Sequence, residues 1–477
     1  MRPVKLLLHL SLFMVVIWAS GCGDVPPDAE LGVSAADTGT QRFAVSIQGD
    51  EVGYMQLDIE EYGSDSLLIT QTINWNMILM GNRRDIEMSM TAVCDTTYDL
   101  GRMEMLMSDG SADISVSAVR RDSLLLTTIG SAGRDIQRST EIEGDYLPVL
   151  ADLASASMEW AEGQERTFQS FDPASGAILS ATAVCQGFER MPLLGDTVNT
   201  ARLELSQMGT RNLVWVADGQ IVREYEQGLG MDMTRVPPGQ GGDVVATRDL
   251  YEVFAVSSTP IEDPRSVRSR TFILEGDIDW SRFQMDLPPV QTASGCTVSV
   301  SNSSPGVIAP FPPVDLPDSL MQFTESGPMT QSDDPLIAAT ALEVTEGSGD
   351  SWEAARRICS FVDTSVENTP TVSLPSAVDV MENLRGDCNE HTILAVALAR
   401  AAGLPARICA GVVYLNDSFG YHAWPMIWAG EWVAMDPTFG QYVADGTHII
   451  LATGDLQAQY VVNAVIGRLS ITERVSE

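Results

Sequence analysis

Between residues 42 and 253, apolar and polar residues alternate in short runs separated by Gly, Asp or Ser. Phe43, Val45 and Ile47 alternate with polar neighbours, which is the period-two signature of a half-buried strand. Gly49 and Asp50 mark a turn, and a new run begins at 54–59. The same unit recurs at 67–76, 86–94, 112–119, 122–129, 200–205 and 212–216. Asp218 and Gly219 then form a two-residue hairpin signal leading into 220–225. Short strands at this spacing predict a β-rich domain over 42–256, built as one large antiparallel sheet, an open barrel or a sandwich. A helical pattern interrupts it near 147–161. This stretch contains no histidine and no catalytic constellation, and it reads as a scaffold or binding sheet.

The pattern then changes. Residues 257–332 form a connector with strands at 270–275 and 296–301 and a Pro-rich extended stretch at 303–318. A helix is expected over 334–346, with Pro335 in its first turn. Asp350 and Glu353 make a capping-box start for a second helix, whose stripe is Trp352, Ala355, Cys359 and Val362. After Pro370 and Pro375 comes a short helix at 376–384, broken by Gly386 and Asp387. A helix over 388–402, closed by Gly403, precedes strands at 406–415, 421–428 and 431–438. Residues 456–477 complete the chain, with a final pair of strands expected within 459–471. The whole is of α+β class.

Composition adds limits. The chain has 477 residues, 44% hydrophobic and 19% charged, which suits two or three ordered domains. Its formal net charge of −37 repels phosphate backbones and argues against nucleic acid as a partner. Lys5 is the single lysine. No run after the first twenty or so residues reaches the ~20 apolar residues needed to span a bilayer.

At the N-terminus, Arg2 and Lys5 precede an apolar stretch at 6–18, and Ala19, Ser20 and Gly21 precede Cys22. Residues 1–22 read as a signal peptide. The cysteine after small residues resembles a bacterial lipobox, with Ala19 where that pattern usually has Leu. The resemblance implies lipidation of Cys22, a tether at 23–41, and an exported protein anchored by lipid in the cell envelope. The seven cysteines, at 22, 94, 185, 296, 359, 388 and 409, match no zinc spacing. With Cys22 acylated and Cys388 a free thiol, at most two disulfides remain possible in an oxidising compartment.

Cys388 begins a predicted helix, where partial positive charge and free N–H groups favour thiolate. Taken alone, such a cysteine is more often an inert core residue. The arrangement with two other residues carries the argument. His422 and Asp436 lie on consecutive predicted strands. A three-residue loop at 428–430, with Gly430 in the left-handed position, would pair 427 with 431 and set His422 directly opposite Asp436, with the side chains starting about 4.5–5.5 Å apart. A two-residue loop would put them on opposite faces.

Four ordered blocks, Gly386-Asp387-Cys388-Asn389-Glu390-His391, Ala399 to Arg407, His422-Ala423-Trp424, and Trp432 to Asp436-Pro437-Thr438, together resemble the transglutaminase-like superfamily over about 333–455. The resemblance implies a papain-like core, with Cys388 as nucleophile, His422 as general base and acid, and Asp436 as the orienting residue. It implies that the Arg400–Arg407 block packs the nucleophile helix on the first strand. His448 matches a structural segment that follows the acid. His391 is expected against the core, Asp387 and Glu390 at the helix cap, and Trp424 in packing or at a cleft wall. The oxyanion hole would use the Cys388 backbone N–H and a second donor.

The expected activity is acyl transfer or hydrolysis of a carboxamide or peptide bond through a thioester, with a protein or peptide substrate. A plain peptidase is the hydrolytic case. A non-catalytic envelope binding or assembly module with a vestigial triad is the alternative. No cofactor is implied: no calcium-loop spacing and no nucleotide-binding glycine pattern is present.

Overall fold

The computed structural model describes residues 38–79, 82–108, 113–131, 134–173, 177–207, 210–241, 244, 246–249, 254–327, 329–369, 376–454, 462 and 465–474. Cys22 and the leader lie outside the described residues. So does most of the expected tether, but its last residues, 39–41, already belong to the first strand. The chain forms two compact units that divide between Val253 and Phe254.

The first unit carries fourteen strands: β1 (Gly39–Ile47), β2 (Asp50–Glu61), β3 (Ser66–Leu79), β4 (Asn82–Asp95), β5 (Leu100–Ser108), β6 (Asp113–Arg121), β7 (Leu124–Ser131), β8 (Arg134–Glu141), β9 (Glu165–Asp172), β10 (Ala177–Leu193), β11 (Asp196–Gln207), β12 (Thr210–Ala217), β13 (Gln220–Glu226) and β14 (Met231–Val236). They form one antiparallel sheet in the order β8-β7-β6-β5-β4-β3-β2-β1-β14-β13-β12-β11-β10-β9. Every neighbour is a sequence neighbour except β1 and β14, which pair with Phe43 opposite Arg235. The sheet is not closed, since β8 and β9 stand at its two ends.

Alternate side chains, Phe43, Val45 and Ile47 among them, are fully buried on one face. A helix, α1 (Ala151–Ser157), is buried along its whole length and packs against β9, β12 and β13. It is shorter than the 147–161 pattern predicts. Leu147 and Val149 spend their backbone groups on Leu100 and Tyr98, so the chain enters the helix only at Ala151.

The second unit holds a small antiparallel sheet of β15 (Ser269–Glu275), β16 (Gln291–Ser294), β17 (Thr297–Ser301) and β24 (Ser470–Glu473), in the order β16-β17-β15-β24. Of the pair of strands expected within 459–471, the described residues show only β24. Residues 465–468 form a turn instead.

Among the described residues, four helices longer than one turn follow a single-turn helix at Asp318–Met321: α2 (Pro335–Thr345), α3 (Ser351–Ser365), α4 (Ala377–Asn383) and α5 (Cys388–Ala401). A two-stranded parallel ladder, β18 (Glu367–Asn368) with β19 (Arg385–Gly386), ties the end of α3 to the start of α5. The second sheet, in the order β22-β21-β20-β23, comprises β20 (Ala406–Leu415), β21 (Ser418–Trp428), β22 (Trp432–Ala434) and β23 (Ile449–Thr453).

Helix α5 is buried on every side from Cys388 to Ala399. A helix apolar all round must be central. Helices α2, α3 and α4 contact it, as do β20 and β21. Ile393, Leu394, Val396 and Leu398 share one core with Ile358, Val362, Ile408, Ile427 and Met435. Each such side chain contributes about 1.5–3 kcal/mol by leaving water. That burial fixes the first turn of α5 against β21. Among the described residues no helix is long and apolar enough to cross a membrane, which says nothing of a β-barrel.

Candidate active site

The cysteine is placed by a tightly specified helix start. Leu384 ends α4 in the left-handed conformation, and Gly386 lies where a Cβ would fall 2.2 Å from Glu390 Cβ. Asp387 is the N-cap. Its carboxylate accepts the Asn389 N–H at 2.9 Å, while Glu390 Oε2 accepts the Asp387 N–H at 2.8 Å, completing a capping box. Cys388 is the first helical residue and only 1% exposed. Burial and the Asp387 charge hold the Glu390 carboxyl up at about 8.

His422 lies on β21, opposite Gly411 of β20. The β21–β22 hairpin pairs Trp428 with Trp432, Ile427 with Val433 and Met426 with Ala434. The loop is therefore Ala429-Gly430-Glu431, one residue later than the sequence pattern placed it. Ala429 N–H bonds to the Glu431 carbonyl at 3.0 Å, and Gly430 (φ +114°) sits mid-loop against the Val307 carbonyl, where a Cβ would approach to 2.2 Å. The loop still has three residues, so His422 and Asp436 share a face. Continued past Ala434, this register would set Trp424 opposite Asp436, making His422 its diagonal neighbour rather than its direct partner. The side chains span the diagonal: His422 Nε2 meets Asp436 Oδ2 at 2.8 Å.

Asp436 follows β22 in a turn closed by reciprocal backbone bonds with Gln441. Its Oδ1 accepts the N–H groups of Thr438 at 2.8 Å and Phe439 at 3.2 Å. Its Oδ2 accepts His422 and also His448 Nε2, at 3.0 Å. A fully buried carboxylate with four donors stays ionised. Burial opposes the charge, but His422 and His448 outweigh it and hold the carboxyl well below the usual range.

The second ring nitrogen of His422, Nδ1, is buried without an oxygen or nitrogen partner. The Cys388 thiol lies beside this ring, close enough for the two to act on each other's charge. Burial disfavours charge on His422, yet Cys388 and Asp436 together raise it to about 9. Burial pushes the Cys388 thiol up, against the opposite pull of His422. Trp424 and Phe439 both lie nearly parallel to the imidazole, with centroids at 5.7 and 5.0 Å. Trp424 is fully buried and so packs rather than lining an open wall.

Other sequence expectations are also located. His391 Nδ1 faces the Asp387 carbonyl at 2.6 Å, and burial lowers its pKa, so it is a neutral cap partner. Arg400 donates to the Ala406 carbonyl at 2.9 Å and to Thr330, tying α5 to β20. All six described cysteines are free thiols, including Cys388. Cys94 and Cys409 are pushed up to about 12 by burial, which leaves them inert.

The sequence placed His448 only in a structural segment after the acid, not as a second histidine on Asp436. His448 reaches the site from the turn ahead of β23, so its partners only appear once the sheet is assembled. His422, Asp436 and His448 are also donor types that bind zinc, with ligand atoms within 4.8 Å of one another. Ligands held at ~2 Å by one tetrahedral ion would stand about 3.3 Å apart. The observed 2.8 and 3.0 Å between carboxylate and imidazoles fit shared protons instead.

A cysteine at a buried helix start, beside a histidine that is braced by a carboxylate on the adjoining sheet, defines a site of papain-like arrangement. Residues 338–437 match the family model of the transglutaminase-like superfamily, so this stretch is a transglutaminase-like domain within a longer chain. No curated protein matches the chain.

Three solved structures are similar in part. A candidate cysteine protease from Cytophaga hutchinsonii is 20% identical over 46% of this chain and 83% of its own, with a TM-score of 0.31. A β-barrel-like protein of a domain of unknown function from Brucella abortus is 8% identical over 41% of this chain and 94% of its own, at 0.32. A candidate protease from Parabacteroides distasonis is 10% identical over 58% of this chain and 70% of its own, at 0.19.

Proposed function

We propose that the second unit is a cysteine acyl-transfer enzyme that forms a thioester on Cys388 from a carboxamide or peptide carbonyl. The observation that carries this is a buried thiol beside a buried imidazole whose Nε2 meets the Asp436 carboxylate at 2.8 Å. The Cys388 thiolate attacks the carbonyl carbon. The tetrahedral oxyanion faces the Cys388 backbone N–H at the start of α5. The C–N bond breaks as His422 gives its proton to the leaving amine or ammonia, leaving the thioester. Water then yields the acid, or a primary amine yields a new amide, with His422 taking the proton back. Asp436 keeps the ring in one tautomer and supports its positive form. Access of water to the thioester selects between hydrolysis and transamidation.

The substrate is a protein or peptide of the cell envelope, reached by an exported chain lipidated at Cys22. With its only lysine, Lys5, in the leader, the mature chain offers no lysine amine to its own thioester.

The near-complete burial of Cys388 favours the other reading, a binding module with a silent triad. Iodoacetamide labelling against pH separates the two. Reagent reaches the sulphur only when the site opens, and opening rehydrates the thiol while leaving His422 beside it. Labelling of the Cys388 peptide is therefore expected well below the ~8.5 of a free cysteine, and Cys388→Ala should remove that label. A Cys388 that stays unlabelled until alkaline pH supports the silent module.

A further inference from the structure

The family match stops one residue past Asp436, but the charged groups do not. Asp436 Oδ2, the oxygen that meets His422, also holds His448 Nε2 at 3.0 Å. The other nitrogen of that ring, Nδ1, faces Asp445, at 3.1 Å from its carbonyl and 3.3 Å from Oδ1. Asp445 is itself ion-paired with Arg265, whose side chain is 32% exposed. Arg265 also lies over the Phe439 ring at 4.5 Å, and Phe439 stacks on His422.

Both nitrogens of His448 face acceptors only. The form that satisfies them is the imidazolium, with two N–H donors. Positive and negative groups then alternate from the surface inward: Arg265, Asp445, His448, Asp436, His422, Cys388. Buried charges are tolerated where each has an opposite neighbour, and this chain provides one at every step.

We propose that His448, held by Asp445 and Arg265, is a positioning residue that keeps Asp436 ionised and aimed at His422, and so sets the pH range in which the Cys388 thiolate exists. The inference rests on Cys388 being the nucleophile. The nearest like charge is His422, whose ring centroid lies 5.8 Å away and is separated from it electrostatically only by the shared Asp436 oxygen. Trp424 and Phe439 wall it at 4.9 and 6.0 Å. Gln441 Nε2 donates to Asp445 at 3.0 Å, as does the Thr447 N–H at 2.9 Å. Cys359 and His391 also lie within the field of Asp436. Burial works against a charged His448, but Asp445 and Asp436 outweigh it and raise it to about 9.

The sign of the effect follows. Losing the His448 charge leaves Asp436 with less compensation, so negative sulphur is disfavoured and the thiol limb moves to higher pH. His448→Gln keeps an N–H donor and removes the charge. A side chain that only packs the turn would change the amount of active protein without moving the limb.

The test measures iodoacetamide labelling of the Cys388 peptide in the full mature chain, from about pH 4 to about pH 10, with folding followed by circular dichroism. In His448→Gln the midpoint should rise by about half a unit to one unit. Arg265→Gln, at the partly exposed end, should shift it the same way by less, and decides the matter if His448→Gln does not fold. Unmoved midpoints in folded variants overturn the role of His448 while leaving the nucleophile intact. A wild-type profile without a low-pH limb sinks the nucleophile itself, and this inference with it.

Discussion

Asp436 is the residue on which the site turns, because one carboxylate oxygen serves two histidines. Asp436→Asn presents an amide in its place, which supports neither imidazolium and lets His422 rest in the wrong tautomer. Turnover of an activated amide substrate should fall roughly 10³–10⁴-fold with little change in KM. Leaving two buried imidazoles without their shared counter-charge should also cost about 3–5 kcal/mol of stability, read by chemical denaturation. A variant with near-wild-type turnover would remove Asp436 from the mechanism.

Residue by residue, Cys388, His422 and Asp436 were legible in the sequence, since each stands in a short block with its own local signal. His448, Asp445 and Arg265 were not. Nothing in Asp445-Gly446-Thr447-His448 shows that its imidazole returns to the carboxylate of the previous turn. Arg265 lies far earlier in the chain, in a stretch that reads only as connector.

At the scale of elements, two glycines hold the site together by leaving room. Gly386 allows the Glu390 side chain to fold back over the N-cap, as described above. Gly411 lies between His422 on one neighbouring strand and β23 on the other, where the β20–β23 register shifts. A Cβ at Gly411 would fall 2.0 Å from the Ile449 carbonyl oxygen, a backbone atom that cannot swing away. Gly411→Ala should therefore push the start of β23 outward, carrying His448 with it. The expected result is a stability loss of about 1–3 kcal/mol in denaturant unfolding together with slower Cys388 labelling. Unchanged labelling would show that β23 can move without disturbing the triad.

Helix boundaries were well marked in the sequence by Asp334, Asp350, Ser376 and Asp387, each of which caps a helix with its own side chain. The hairpin register was not. Both candidate three-residue loops conserve the buried face, and the contact of Gly430 with Val307, from a distant segment, accompanies the later one.

At the scale of the whole molecule, several buried ionisable groups among the described residues have raised values. Asp152 rises from 3.8 to about 6, and Glu224 and Glu390 from 4.5 to about 8, chiefly by burial. His422 and His448 rise from 6.5 to about 9 through their acidic or thiol neighbours, against burial. Groups with raised values stabilise the fold below their unfolded values and lose that contribution as pH climbs through the folded ones. Asp436 and Asp445, lowered from 3.8, act oppositely and lose theirs as pH falls below the carboxylate range. Thermal stability should therefore be highest near about pH 4 and decline toward pH 9. The net charge of −37 adds self-repulsion on the alkaline side. A Tm that climbs between those pH values would contradict the protonation pattern.

The periodicity of two, the helix caps and the ordered blocks around Cys388, His422 and Asp436 are properties of neighbouring residues, and the sequence alone determined them. That His422 and Asp436 share a face followed from a loop of three residues rather than two, which the β21–β22 pairing shows. Tertiary structure decided the rest. Pairing of β1 with β14 joined the fourteen strands into one sheet that is not closed, because edge choice depends on segments at opposite ends of the unit. Assembly of β23 beside β20 brought His448 to Asp436, and with it Asp445 and Arg265. Contacts of that kind carry no local pattern: they arise when separately encoded turns meet in a buried space where each charge must find its opposite.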